Sequence, residues 1–135
     1  MIVINEAIEE GKHRFLDDFI KQDIDSFPVL IFLHRGKTKK LSDKVKRHTS
    51  MIYSLFNILV ADKDISIMMG SKMIILKKGE ALFDYKSLEE KGFQRPNVMR
   101  SIKILSDLNL ISVKMYEDLR DYGIYKIRMN SYSRS

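Results

Sequence analysis

A short segment of the sequence concentrates side chains that can hydrogen-bond to nucleic-acid bases: Arg95, Asn97 and Arg100. An arginine guanidinium can donate two hydrogen bonds to guanine, and an asparagine amide pairs in a similar bidentate way with adenine. Ser101 and Lys103 follow them, and a hydroxyl or an ammonium group suits backbone phosphate. If one helix carries all five, they predict contacts to base edges and to phosphate. The alternative is that they are solvent-facing polar residues on a helix with a purely structural role.

The surrounding sequence predicts a helix, a tight turn and a second helix. Residues 83–91 predict the short first helix, for which Asp84 can serve as the N-cap. Gly92 begins the turn, because glycine adopts the positive φ that a tight corner needs. Pro96 suits the first position of the second helix, and Asn109 suits the left-handed conformation that ends it. The order is that of a helix-turn-helix.

The second helix, predicted over residues 96–108, has one apolar and one polar side. The apolar residues recur at spacings of four, three and three: Val98, Ile102, Leu105 and Leu108. This stripe predicts the side that packs against the domain. The polar residues predicted to face solvent are Gln94, Arg95, Asn97, Arg100, Ser101 and Lys103. Lys86 on the first helix and Lys114 on the strand that follows complete the predicted DNA contacts.

Two strands joined by a polar loop are predicted after this helix. The strands lie at residues 110–116 and 124–129, and residues 117–123 form the loop between them. Arg120 lies at the tip of that loop, where an arginine can enter the minor groove and respond to its width and potential. Acidic residues flank it, and Asp118 is the one predicted to brace it.

A third strand is predicted at residues 73–76, followed by a turn at 77–80, and it is expected to pair with the other two. Together these elements predict an α+β fold, mainly α: a winged helix-turn-helix with an N-terminal helical extension and a three-stranded antiparallel sheet. The expected organisation is a helical extension over residues 1–40, the winged helix-turn-helix domain over 41–129, and a flexible tail over 130–135.

Further elements are predicted before the helix-turn-helix. Ser42 can cap a helix from residue 43 to about 61, and the spacing of apolar residues predicts an amphipathic helix over 5–24. Residues 29–33 fit a helical turn better than a buried strand. Residues 35–40 are a basic loop that either contacts phosphate or is a solvated connector. The polar side of the helix that follows carries Lys44, Lys46 and Arg47, and we expect it either to face solvent or to lie along a DNA backbone.

The composition of the chain narrows the classes of function. A net charge of +6 and a pI near 9.5 favour a polyanionic partner. The absence of cysteine excludes disulfides and thiolate metal sites, and no apolar run approaches the ~20 residues of a membrane span. The histidines His13, His34 and His48 lie in three different elements, with no spacing typical of a metal site or a catalytic triad, and each is predicted at the surface or at an interface. We therefore expect a cytoplasmic protein that is not an enzyme and uses no metal or cofactor.

The segment Gln94-Arg95-Pro96-Asn97-Val98-Met99-Arg100-Ser101-Ile102-Lys103 and the residues after it, to Ile111, resemble the recognition helix and following strand of bacterial winged-helix regulators. The Asp118-Leu119-Arg120 loop is similar to the Asp-x-Arg wing of the multiple-antibiotic-resistance (MarR) and staphylococcal accessory regulator families. That resemblance implies that Arg120 reaches DNA and that Asp118 orients it. Those families dimerise partly through a long C-terminal helix, whereas this sequence ends soon after its wing.

A second resemblance covers residues 41–129. The order of a long helix, an apolar strand and a helix-turn-helix is similar to replication-initiator N-terminal domains and small centromere-binding partition proteins of phages and plasmids. The matching pattern is apolar and generic, so it bears on the fold more than on the role.

The sequence therefore predicts a sequence-selective, double-stranded DNA-binding protein that acts in transcription regulation, replication or plasmid partition. It is expected to form a homodimer through its N-terminal helix and a methionine-rich apolar surface, since such modules bind paired half-sites. The alternative is a winged-helix protein-interaction adaptor in a replication, conjugation or secretion assembly, favoured by the acids Glu89 and Glu90. No exposed aromatic platform for single-stranded RNA is predicted.

Overall fold

The computed structural model describes residues 23–34, 36–69, 71–115 and 123–130, and these form an α+β fold, as predicted. Three α-helices are described: α1 (Asp43–Leu59), α2 (Tyr85–Glu90) and α3 (Arg95–Asp107). The five described strands are β1 (Ile65–Met69), β2 (Lys72–Leu76), β3 (Glu80–Asp84), β4 (Ile111–Met115) and β5 (Ile124–Met129). Three short 3-10 turns precede α1: Ile24–Ser26, Ile31–His34 and Gly36–Thr38.

Several predictions fall outside the described residues. They concern residues 5–22 of the predicted amphipathic helix, residue 35 at the start of the basic loop, residues 117–122 of the wing loop and residues 131–135 of the tail. The specific residues are Arg35, Asp118 and Arg120, together with nearly all of the predicted helix over 5–24.

Helix α1 begins where its cap was predicted. The Ser42 hydroxyl accepts a hydrogen bond from the Val45 N–H at 3.2 Å, which satisfies one of the amide groups left free at a helix start. Its apolar face is buried, with Ile52, Leu55 and Phe56 fully inaccessible. Each such side chain contributes about 1.5–3 kcal/mol by leaving water.

The prediction that Lys46 faces solvent is wrong, because its residue is only 6% exposed. The segment before α1 lies across this side of the helix: the Leu30 N–H donates to the Ser50 hydroxyl at 3.0 Å. The Lys46 ammonium lies 3.5 Å from Nδ1 of His34, in the Ile31–His34 turn. That turn confirms the predicted helical turn for residues 31–33, whereas residues 29 and 30 precede it and are not helical.

The three-stranded sheet is antiparallel with the order β3-β5-β4, so the last strand is central. The predicted strands β4 and β5 are confirmed, with Val113 opposite Ile127. The strand predicted at residues 73–76 is confirmed as β2, but its predicted pairing is wrong: it pairs with β1 in a separate hairpin and not with β4 or β5. Residues 80–84 supply the third strand, with Phe83 opposite Tyr125. The start of the first motif helix, predicted at residue 83, moves accordingly to Tyr85.

Strand β3 was not predicted because both of its faces are buried. All five residues of β3 are buried, so the strand lacks the alternation that identifies a strand in a sequence. On β2, Ile74 and Leu76 are buried whereas Met73 and Ile75 are exposed, as expected for a hairpin that packs through one face.

Two apolar clusters cover the two faces of β3. The main core lies between the helices and the sheet, and includes Phe56, Phe83 and Leu105. The second cluster joins Leu82 of β3 to Ile74 of the hairpin, together with Ala61, Ile67, Leu76 and Ile124. Successive side chains of a strand point to opposite faces, so Leu82 and Phe83 belong to different clusters.

The hairpin leaves the body and returns to it at one place. The Ala61 N–H donates to the Glu80 carbonyl at 2.9 Å, and the Gly79 N–H donates to the Ala61 carbonyl at 2.8 Å. The Met129 N–H donates in turn to the Gly79 carbonyl at 2.9 Å. These bonds join the end of α1, the start of β3 and the end of β5.

Candidate nucleic-acid interface

The turn between α2 and α3 has the predicted conformation. Gly92 has a φ of +101°, and the Phe93 N–H donates to the Leu88 carbonyl at 3.0 Å. The Asp84 carboxylate caps α2 by accepting from the Ser87 N–H at 3.1 Å. Asn109, just beyond α3, has a φ of +59°, as expected for a left-handed helix end.

Helix α3 begins at Arg95, one residue earlier than predicted, and has one buried and one exposed side. Val98 and Leu105 are fully buried, Ile102 is nearly so, and Leu108 is half-buried, which confirms the predicted stripe. The exposed residues of the other side include Arg95, Met99, Arg100 and Lys103, while Asn97 is half-buried.

The prediction that Ser101 faces solvent and contacts phosphate is wrong, because its residue is 1% exposed. Its Oγ lies 2.7 Å from Nδ1 of His48 and 3.4 Å from the Thr49 hydroxyl, which donates to the Val45 carbonyl at 2.8 Å. The spacing contained the correct signal, since Ser101 follows Val98 by three residues and precedes Leu105 by four. The small polar side chain was assigned to the surface by its type.

His48, predicted at the surface or an interface, lies in the core instead, with 9% of the residue exposed. Burial, and secondly the charge of Arg100, lower the pKa of His48 from 6.5 to about 4. The imidazole is therefore neutral at pH 7, and its ring lies edge-on to Phe93 with centroids 6.5 Å apart. We call His48, Thr49 and Ser101 the neutral link; it joins α1 to the buried side of α3.

Arg95 is held by side chains of α2. Its Nη2 donates to Glu89 Oε1 at 2.6 Å, and its guanidinium lies 5.5 Å from the centroid of the Tyr85 ring. Both partners of the ion pair are about half exposed, at 49% and 45%, so solvent screens it. The pair fixes the direction of Arg95 more than it stabilises the fold.

Three polar side chains form a chain along the first turns of α3. Arg100 Nη2 donates to Asn97 Oδ1 at 3.1 Å, and Asn97 Nδ2 donates to Gln94 Oε1 at 3.3 Å. These contacts order two predicted base-contacting residues before any ligand is present. Preorganised side chains lose less entropy on binding.

The remaining predicted contacts are dispersed. Lys86 is exposed on α2 and Lys103 on α3, while Lys114 is exposed on β4, opposite Lys126 of the central strand. The structure therefore brings Arg95, Asn97, Arg100 and Lys103 onto one helix.

Sequence reasoning missed a cleft of about 450 Å³ where α1 meets the turn and α3. Its lining includes Lys44 of α1, Lys91 at the end of α2, and Gln94 and Asn97 of α3. The only signal in the sequence was the polar side assigned to α1. The cleft continues from α3 to α1, and Asp23, Ile24, Met51 and Phe93 line it beside these polar residues.

In comparisons with known proteins, no family model, curated protein or solved structure matches this chain. Among the described residues, no group of three His, Cys, Asp or Glu side chains is placed to hold a metal ion. Within the same residues, no helix is long and apolar enough to cross a membrane.

Proposed function

We propose that residues 41–129 form a winged helix-turn-helix domain that binds double-stranded DNA, with α3 in the major groove and the predicted wing loop, residues 117–123, in the minor groove. The observation that carries this proposal is the division of α3. Its apolar stripe is anchored in the core, while Arg100 and Lys103 stand exposed on the outer side. The major groove of DNA admits one helix in this manner.

The connectivity supports the same assignment. Strand β3 leads directly into α2, a glycine turn leads to α3, and the β4-β5 hairpin follows. Strand β5 lies between β3 and β4, so the β4-β5 hairpin belongs to the sheet whose first strand leads into α2. This arrangement supports a wing.

Charge supports a polyanionic ligand. Residues 94–106, which span most of α3, contain no acidic side chain, and the whole chain has a net charge of +6. Asn97 and Arg100 lie in the first two turns, the part of a recognition helix that approaches base edges. Arg95 lies in the first turn too, but Glu89 would compete with DNA for its guanidinium group.

We further propose that the protein acts as a homodimer on paired half-sites, in transcription regulation, replication or partition. Two-fold paired modules read two-fold symmetric DNA sites. Sedimentation equilibrium of the full chain, alone and with a duplex, measures the stoichiometry directly.

The decisive experiment is fluorescence anisotropy with a labelled duplex and a labelled single strand, titrated with the full chain at several salt concentrations. We expect duplex preference and a steep loss of affinity with salt, because phosphate contacts release counterions. Arg100→Ala should weaken binding by about 1–3 kcal/mol and relax base preference. Lys63→Ala, which removes a charge from an exposed residue before β1, is the matched control. Absence of duplex binding at low salt would contradict the proposal.

An adaptor function is the second candidate, favoured by the outer face of the hairpin. Met73 and Ile75 of β2 are 65% and 60% exposed, and neighbouring exposed apolar residues are a feature of protein-binding surfaces. A stoichiometric protein partner recovered from nuclease-treated extract, and lost with Met73→Glu, would support this function over DNA binding.

A further inference from the structure

Met99 stands out on the exposed side of α3 because it is apolar. Its residue is 50% exposed. Arg95 precedes it by four residues and Lys103 follows it by four, so the three lie in one row along the helix. Met99 follows Val98 directly, about 100° around the helix, so it lies beside the stripe that anchors α3 and not within it, and it is not part of the buried core. An uncharged, flexible side chain thus stands between two cations.

We propose that Met99 determines base specificity by packing against the C5 methyl group of a thymine in the major groove, which rests on the proposed DNA-binding function. The thymine methyl is the one apolar group that an unmodified base pair presents in that groove. A thioether side chain is flexible and polarizable, so it can follow the position of a methyl group closely. The preferred ligand is then a duplex with a thymine at a defined position.

The neighbours of Met99 define where that thymine lies. Arg100 is the next residue, and its guanidinium is ordered by the 3.1 Å bond to Asn97. Arg95, one turn earlier, is turned towards Glu89. Met99 and Arg100 therefore lie at the same level of the helix with different chemistry. They predict a thymine beside the base that Arg100 contacts.

The chain provides a matched control. Met73 is also an exposed methionine, at 65%, but it lies on the hairpin strand β2 rather than on α3. Truncation of Met73 removes the same side chain from a different surface. Any general effect of losing an exposed methionine appears in both variants.

The test starts from a duplex enriched from a random-sequence pool by the full-length protein. This duplex is compared with a series of copies in which deoxyuridine replaces one thymine at a time. Each replacement removes only the methyl group. We expect one replacement to weaken wild-type binding about fourfold, the effect of one buried methyl. Met99→Ala should bind the thymine duplex about fourfold more weakly and lose nothing further with deoxyuridine. Met99→Leu should restore the difference, and Met73→Ala should behave as wild type.

Two results would overturn the proposal while leaving DNA binding intact. One is an equal deoxyuridine effect in wild type and Met99→Ala. The other is a change in the oligomeric state of the DNA-free protein that Met99→Ala causes and Met73→Ala does not, which would place Met99 in a contact between copies. If no duplex is enriched and none binds at low salt, the DNA-binding function itself fails.

Discussion

Two polar links inside the molecule use opposite chemistry. The neutral link, with His48 2.7 Å from Ser101, joins α1 to α3 without any charge at pH 7. The charged link centres on Glu80, which is 4% exposed. Its Oε1 accepts from the Lys77 N–H at 2.9 Å, and its Oε2 lies 3.5 Å from the Lys126 ammonium. A third contact, 3.9 Å long, joins the same oxygen to Arg128.

The difference follows from what each link must hold. The neutral link lies under the helix that presents Arg100, where a buried charge would require its own partner. The charged link lies at the end of the sheet, where its two basic partners keep 30% and 53% of their side-chain area exposed. The first link is therefore sensitive to pH, and the second to salt.

Acid provides the largest test of this comparison. The unfolded chain protonates a histidine near pH 6.5, whereas folded His48 does so near pH 4. The unfolded state therefore binds more protons between these values, and the free energy of unfolding decreases as the pH falls through that interval. The expected loss is about 3 kcal/mol. Urea unfolding of wild type and His48→Gln across pH 4–7 measures it.

The variant should show a flatter pH dependence, and the difference between variant and wild type should not change with salt. His34→Gln, at an exposed position, is the control for histidine loss in general. Parallel pH curves for wild type and His48→Gln would refute the neutral link.

Removal of Glu80 should have the next largest effect. Glu80→Ala removes the acceptor of the Lys77 N–H and the carboxylate that lies near Lys126 and Arg128, and we expect a loss of about 2 kcal/mol. Glu80→Gln keeps an acceptor for Lys77 and should cost about half as much. The difference between the two variants should shrink in high salt, because the cations are partly exposed. Chemical denaturation with urea at two salt concentrations gives both values, and identical losses at every salt would contradict a charged link.

The smallest effect concerns the exposed pair of Arg95 and Glu89. Glu89→Gln should change stability by less than about 0.5 kcal/mol, because both side chains are half exposed. It should nevertheless strengthen duplex binding roughly twofold to fivefold, since it frees Arg95 and removes a negative charge beside the groove. Glu90→Gln removes the same charge from the next residue and should have less effect. Equal gains from both variants would mean that only net charge matters.

The sequence predicted the features that depend on local backbone chemistry. Four residues have a conformational role that follows from the side chain or, in glycine, from its absence. The structure shows each of them at the predicted place: Ser42, Asp84, Gly92 and Asn109. The apolar stripe of α3 was predicted for a similar reason, since its period is that of a helix.

The failures concern residues whose environment is set by distant parts of the chain. Lys46 is buried by a turn that precedes the helix, and Ser101 by a histidine more than fifty residues away. Strand β3 was missed because the hairpin covers its second face and removes the alternation that identifies a strand. No periodicity within a single element contains that information. The roles of Asp118 and Arg120 stay predictions.

The hydrogen bonds around Ala61 hold the two ends of the β1-β2 hairpin together. Its base is closed by two backbone bonds, of 2.9 and 2.8 Å, between the residue where the chain departs and the residues where it returns. The chain therefore leaves the body and returns to it at one point, so the path from α1 to β3 does not depend on the length of the hairpin, whose inner face packs on Leu82 of β3. A peptide tag or fluorophore inserted at its tip, between β1 and β2, would move with the domain while leaving α3 undisturbed. The hairpin is thus a natural handle for attaching the protein to a surface.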